Sequence, residues 1–383
     1  WVTVRAWRAC NGGGVEEFGT CRVPCKKGYG KAVFSFRDYD LRRDQLYWAP
    51  EHPNLIRLDI CVEGCVRDEV FSYFGMHSVS VDRGMILLND QPYFQRLVLD
   101  QGYWPDSLYT PMDDEAIRKD IELTKQMGFN GARKHQKPED PRYYYWADVL
   151  GLLVWGEMPS AYEFNDNAVL RTARELTEFV ERDYNHPCIA AWVPINESWG
   201  VHQVYHSEQE RDYCRMLFFL LKSLDSTQPV SANDGWEQIS ETDICAIHDY
   251  ALMPGCERKY DQMNEFLSSY AEHRMLFAEK EAYHGQPIIL TEFGGIAFAD
   301  GKDATWGYYG KVTNEEEFLA RLTAIVDAVL DNKAFAGFCY TQLTDVMQET
   351  NGLLDMQRNP KVSLKKLAAI IGRRRVAGRD SSI

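Results

Sequence analysis

The sequence predicts an α/β chain made mostly of one (β/α)8 barrel, preceded by a partial β-sandwich. Three observations predict it. Residues up to about 82 show short stretches of period-two alternation between turn-rich segments. From about Gln95, apolar runs of strand length alternate with stretches of helical period. Nearly every apolar run then ends in a polar or ionisable residue. Alternating strands and helices give a parallel sheet with helices on its faces, and polar strand ends mark the open rim of a barrel. A doubly wound sheet is the competing architecture.

In chain order, Lys31 to Phe36, Leu55 to Val62 and Met76 to Val81 read as half-buried strands. The turns between them lie at Asn11 to Gly14, Lys26 to Gly30 and Pro50 to Asn54. A sandwich of this type needs about seven strands, so residues 1–82 are expected to be an incomplete module. Residues 83–372 are expected to form the barrel and 373–383 a polar tail. The first barrel strand is Arg96 to Leu99. The helix after it turns Ile117, Ile121, Thr124 and Met127 to one face and stops at Gly128. Strand 2 falls at Phe129 to Ala132, with a helix from about Asp140, and strand 3 is Leu152 to Trp155. A long helix from about Asn165 to Asp183 precedes strand 4, Ile189 to Val193. A helix over about Ser207 to Lys222 leads to a short strand 5 near Pro229 to Ser231, and strand 6 is Ile244 to Ile247. Strand 7 is Ile288 to Thr291. Thr313 with Glu316 reads as a capping box opening the next helix, strand 8 is Phe335 to Tyr340, and a last helix covers about Leu364 to Ile371.

The formal net charge of -15 argues against nucleic acid, because no basic excess is present to neutralise phosphates. The basic run Arg373, Arg374, Arg375 and Arg379 reads as a solvated terminus. No apolar run reaches the roughly 18 residues a membrane span needs. The start, WVTVRAWRAC, has neither a secretory leader nor an initiator Met, so the chain reads as part of a longer product, with a cytoplasmic location favoured and export left open. The cysteines are too sparse for a disulfide scaffold. Cys21 with Cys25 and Cys61 with Cys65 share a face of an alternating strand, and free thiols are expected there over a disulfide or zinc.

The strand ends carry the chemistry. They are Asp100 and Gln101, Arg133 and His135, Glu157, Asn196 and Glu197, Asn233 and Asp234, His248 with Asp249 and Tyr250, Glu292, and Gln342 with Asp345. Together they describe a polar cup. Glu197 and Glu292 follow strands 4 and 7, both too apolar to be edges, and would face each other across the barrel mouth. Paired carboxylates of this kind cleave glycosidic bonds, one delivering a proton to the leaving oxygen and the other, ionised, meeting the anomeric carbon. Asn196 would bond a sugar hydroxyl beside the reacting carbon, and Tyr250 would hold the nucleophile's second oxygen. His135 and His248 are read as sugar ligands or as ion-pair partners of Glu157 and Glu197. Arg133 would pair with Glu292 and depress its pKa. Trp104, Trp199, Trp306 and Tyr308 are candidates for a pyranose-stacking wall, against simple loop packing. His186 is read as loop packing at the opposite face. No cofactor or metal is expected.

At these residues the sequence resembles glycoside hydrolase family 2, the family of β-galactosidases, β-glucuronidases and β-mannosidases. Asn196-Glu197 is similar to its acid/base motif and Thr291-Glu292-Phe293-Gly294 to its nucleophile motif. Asn130 to His135 resembles its element after strand 2, and Gly151 to Glu157 its element on strand 3. Asn351-Gly352-Leu353 with Arg358 and Pro360 resembles its segment after strand 8. The resemblance implies that residues 1–82 are an immunoglobulin-like module, that a jelly-roll domain precedes them, and that hydrolysis retains configuration. Asp100, Glu157, Trp199, Trp306 and Tyr250 would line the substrate site, with Tyr340, Gln342 and Asp345 in support.

The chain departs from the family at Asp100 to Trp104 and at Cys339 to Asp345, and the Asn-x-Lys pair associated with glucuronate is absent after strand 8. A neutral sugar is therefore expected, with a β-galactosidase-like exo activity favoured. An endo-acting enzyme of the same barrel type and a non-catalytic carbohydrate-binding protein are the alternatives. The expected partner is an oligosaccharide or glycoside, and a homo-oligomer is left open.

Overall fold

The computed structural model describes residues 1–10, 13–36, 39–251, 260–271, 273–298, 305–308 and 310–373. The tail beyond Arg373 and part of the first predicted turn lie outside these residues. Four strands open the fold: β1 (Val2–Ala9), β2 (Val15–Val23), β3 (Ile56–Glu63) and β4 (Arg67–Phe74). They form one antiparallel sheet in the order β2-β1-β3-β4. The register sets Val4 opposite Ile60 and Ala6 opposite Leu58, so apolar residues share one face. Arg5, Trp7, Arg57 and Asp59 occupy the other, where the Trp7 indole donates to Asp59 at 2.9 Å.

The stretch 31–36, expected as a strand, runs without a ladder partner among the described residues. Side chains hold it instead: Cys21 Sγ meets the Val33 carbonyl at 3.3 Å, and the Phe36 ring lies against Phe18 and Phe74. The β1–β2 hairpin, in contrast, was not among the expected strands. Among the described residues no disulfide joins the cysteines. A small meander, β5 (Val79–Asp82) and β6 (Met85–Leu88), leads into the barrel.

The barrel strands are β7 (Gln95–Asp100), β8 (Gly131–Lys134), β9 (Leu153–Glu157), β10 (Ile189–Val193), β11 (Cys245–His248), β12 (Ile288–Gly294) and β13 (Phe335–Thr341). All neighbours are parallel, in the order β10-β9-β8-β7-β13-β12-β11. The fifth strand of the sequence reading falls in the remaining gap. It is reduced to bridges, Trp192 with Val230 and Asn196 with Asp234. Side chains have taken backbone donors there: Val230 N–H goes to Asp243 Oδ2 and Ala232 N–H to Thr242 Oγ1. Strands β8 to β13 are buried at every position. Each Leu, Ile or Val buried there contributes about 1.5–3 kcal/mol.

The helices are α1 (Asp114–Gln126), α2 (Pro141–Leu150), α3 (Asp166–Asp183), α4 (Glu208–Leu224), α5 (Glu315–Asp331) and α6 (Leu364–Ile371). Asp113, Asn165 and Ser207 cap α1, α3 and α4 through side-chain oxygens. The start of α5 lies one residue beyond the expected capping box. Asn314, not Thr313, accepts from the Glu317 N–H at 2.8 Å. No helix of the described residues is long and apolar enough to cross a membrane.

Candidate active site

Arg133, on β8, is fully buried at the centre of the cup. Its guanidinium reaches Glu157 Oε2 at 2.5 Å, Asp234 Oδ1 at 3.0 Å and Glu292 Oε1 at 3.1 Å. It also donates to Asn196 Oδ1 at 2.6 Å. A planar fork with several fixed donors suits this task better than a lysine would. Burial alone would lower its pKa, but the surrounding carboxylates hold it well above the ordinary value. One cation thereby fixes groups from four strand ends.

Glu197 follows β10 in a turn where it and Ser198 both adopt left-handed backbone, with φ of 54° and 58°. That conformation costs about 1–2 kcal/mol per residue. It is held by Glu197 N–H to Asp234 O at 2.9 Å, Ser198 N–H to Asn233 Oδ1 at 3.0 Å and Ser198 Oγ to Glu237 at 2.7 Å. Such strain concentrates where function fixes geometry. Glu292, on β12, is buried and accepts from Tyr250 Oη at 2.6 Å. Burial and the neighbouring carboxylate push the Tyr250 phenol up, so it stays protonated and donates.

His248 lies between the two glutamates. Its Nδ1 meets Glu197 Oε1 at 2.7 Å, and its Nε2 meets Asp234 Oδ1 at 2.8 Å and Glu292 Oε1 at 3.5 Å. Burial alone would lower its pKa, yet Glu292, Asp234 and Glu197 raise it to about 10. Glu197 is pushed up by burial, but the His248 contact wins and holds its carboxyl below the usual value. In the unliganded site the His248–Glu197 pair thus shares one proton, carried by the imidazole. His135 sits 3.1 Å from Glu157 and 4.0 Å from Glu292. Its pKa is also raised, Glu157 overcoming burial.

Glu197, His248 and Glu292 offer donor atoms within 4.8 Å of one another, a spacing that a metal ion could span. Both His248 ring nitrogens already face carboxylates.

The remaining predicted residues divide. Asn196 and Glu157 are held in the cup by Arg133. Gln342 accepts from Gln101 and donates to Asn351, each at 2.8 Å. Trp199 and Trp306 are 44% and 48% exposed, enough to offer ring faces, and Tyr308 stacks on Tyr250 at 4.1 Å. Trp104 is a correction to the expected stacking wall: it is buried beneath the Arg358 guanidinium, 3.7 Å from its ring centre. Asp100 is buried, with one oxygen on Lys134 Nζ at 2.7 Å and the other on Gly102 N–H at 2.8 Å. Asp345 is likewise taken up by Lys361 and Gly352 N–H. Tyr340 is buried against Phe293. His186 pairs with Asp148 at 2.6 Å, below the barrel.

A cleft of about 470 Å³ opens beside the cup, lined by Gln101, Tyr103, Tyr109, His135, Tyr162 and Trp199 among others. A larger one of about 820 Å³ lies under the first sheet, away from the two glutamates. Sequence reasoning underrated two residues. Asp234 was noted only as a strand end, yet it orients both Arg133 and His248. Glu349 stood in an unremarkable polar run, Gln348-Glu349-Thr350, and only the fold brings it to Gln101.

A parallel (β/α)8 barrel with an acidic cup at its C-terminal rim defines the class of this molecule. Residues 79–374 match the model described as glycosyl hydrolases family 2, TIM barrel domain, and the chain belongs to that family. It is 32% identical over 262 residues to a β-galactosidase of Vibrio cholerae, covering 64% of this chain and 23% of that protein. With a β-galactosidase of Lactococcus lactis it shares 31% over 346 residues, 83% of this chain and 32% of that one. The chain therefore spans about a quarter to a third of the length of these curated relatives. Among solved structures, a β-D-glucuronidase of Dictyoglomus thermophilum aligns with a TM-score of 0.75 at 18% identity, over 97% of this chain and 64% of that one. A β-galacturonidase of Eisenbergiella tayi bound to galacturonate aligns at 0.71 and 19%, over 97% and 66%. At such identity these two speak for the fold alone.

Proposed function

We propose that this chain carries the catalytic centre of a retaining exo-β-glycosidase that releases a terminal neutral sugar, with Glu292 as nucleophile and Glu197 as acid/base. The observation that carries the reading is the approach of the two glutamates, whose donor atoms lie within 4.8 Å across the cup. Direct attack needs carboxyl groups about 5–5.5 Å apart, whereas a mechanism with an intervening water needs about 6.5–9.5 Å.

In the first step a Glu292 oxygen bonds to the anomeric carbon as the glycosidic C–O bond breaks. His248 Nδ1 passes its proton across the 2.7 Å contact to Glu197, which hands it to the departing oxygen, leaving neutral imidazole and ionised Glu197. In the second step water attacks the same carbon and gives its proton to the Glu197–His248 pair. The ester bond to Glu292 breaks and the carboxylate returns. Tyr250 and Arg133 each bind one Glu292 oxygen, which orients the nucleophile. Asn196, anchored through its oxygen on Arg133, keeps its amide nitrogen as a donor for the hydroxyl next to the reacting carbon. A galactoside is favoured because the curated relatives above are named β-galactosidases.

The test uses azide. Glu292→Ala should lose hydrolysis of an activated aryl β-glycoside and, with azide, form the α-glycosyl azide. Glu197→Ala should form the β-glycosyl azide. Undiminished hydrolysis by Glu292→Ala would remove the nucleophile assignment.

A further inference from the structure

Among the described residues, most carboxylates of the cup are matched with cations. Asp100 pairs with Lys134, Glu157 and Asp234 with Arg133, Glu197 with His248 and Asp345 with Lys361. Glu349, in the loop after β13, is only 9% exposed. Among the described residues no lysine, arginine or histidine lies within ion-pair distance of it. Its oxygens meet two neutral amides instead, Asn351 Nδ2 at 3.1 Å and Gln101 Nε2 at 3.3 Å. A buried carboxylate with no counter-ion is costly, and each of its oxygens still has room for a further donor.

Its place ties it to the reacting centre. Tyr250 Oη reaches both Glu292 and Thr341 Oγ1. The next residue, Gln342, is bonded to Gln101 and to Asn351, the same two side chains that hold Glu349. Gln101 lines the cleft beside the cup. On the other side the backbone of Trp306 bridges Glu349, with Trp306 O accepting from Thr350 N–H at 3.0 Å, and the Trp306 ring is half exposed and packs edge-on against Tyr308. Burial raises the Glu349 pKa, the amide bonds oppose the rise, and the charge of Glu292 adds to it.

Building on the glycosidase reading above, we propose that Glu349 recognises the sugar ring itself. It accepts hydrogen bonds from donor groups of the glycone, hydroxyl or ammonium, and repels a uronate. A uronic acid would bring its own carboxylate toward Glu349, and the buried cations nearest the cup, Arg133, Lys134 and Lys137, are already committed to protein carboxylates.

The test compares the protein in its natural polypeptide with Glu349→Gln, which keeps the shape and removes the charge. Substrates are p-nitrophenyl β-galactoside, β-glucoside, β-glucosaminide, β-glucuronide and β-galacturonide. The natural protein should cleave a neutral or amino glycoside and leave both uronides nearly untouched. Glu349→Gln should lose at least about 30-fold in kcat/KM on the preferred glycoside, the scale of one or two hydrogen bonds to a charged group. It should also narrow the neutral-to-uronide ratio by tenfold or more. A larger loss on the glucosaminide than on the neutral sugars would identify ammonium as the recognised donor. Efficient cleavage of a uronide by the natural protein, or an unchanged ratio in the variant, overturns the proposal. If no glycoside is cleaved, the hydrolase reading fails, and thermal shifts with galactose, glucosamine and galacturonate decide separately. Stabilisation by the first or second that Glu349→Gln loses upholds the role of Glu349; equal shifts in both proteins, or none in either, overturn it.

Discussion

At the scale of single residues, the cup depends on Arg133 and His248. Arg133 is the shared counter-ion of Glu157, Asp234 and Glu292. Arg133→Met would leave buried carboxylates unpaired, and breaking a buried pair in this way costs about 3–5 kcal/mol. Urea unfolding should show that loss; a change within about 1 kcal/mol would mean that the carboxylates are compensated elsewhere. His248 makes a different prediction. Its pKa rises from 6.5 to about 10 on folding, so its protonation stabilises the fold fully below pH 6.5, and that contribution is lost as pH climbs toward 10. The stability gap between the natural protein and His248→Gln should therefore be widest near pH 6 and shrink steadily into the alkaline range. A gap that does not vary with pH would show that His248 contributes packing and not charge.

At the scale of elements, the helices were more legible than the strands. Asn165 and Ser207 announced α3 and α4 because their side chains satisfy the first free N–H groups, and such local chemistry is written in sequence. The fifth barrel strand was legible as an apolar run and not as a bridge, because Thr242 and Asp243 reach across from a neighbouring turn to take its donors. The start of α5 was misplaced by one residue since Thr313 and Asn314 both make acceptable caps, and only the backbone decides between them. The difference is measurable. Asn314→Ala should cost about 1 kcal/mol, while Thr313→Ala should stay within about 0.5 kcal/mol. Equal losses would restore the capping box at Thr313. Glu197 and Glu292 stood out as a pair because both follow apolar strands on opposite sides of the barrel mouth. Glu349 and Asp234 did not, because their significance arises from Gln101 and Arg133, each more than a hundred positions away.

At the scale of the whole molecule, the segment between β2 and β3 enters the apolar interior of the barrel through Trp48. Trp48 is fully buried in the cluster that also holds Val79, Ile86, Leu88 and the barrel strands. Its indole N–H donates to the Asp148 carbonyl at 2.8 Å, while Tyr73 Oη, from β4, reaches the Asp148 carboxylate at the same distance. The sequence distinguished the two parts by their periodicity but could not show that they interlock, because Trp48 lies in a turn-rich segment without a period of its own. Removing a buried Trp costs about 3–5 kcal/mol through lost transfer energy and the cavity left behind. If Trp48 and Tyr73 couple the two parts through Asp148, Trp48→Ala should lower the unfolding midpoint of the barrel and of the sheet together, as one transition in far-ultraviolet circular dichroism and in glycoside hydrolysis. Two separated transitions, with the one that abolishes hydrolysis unmoved, would mean that the sheet is an appendage to a barrel that stands without it.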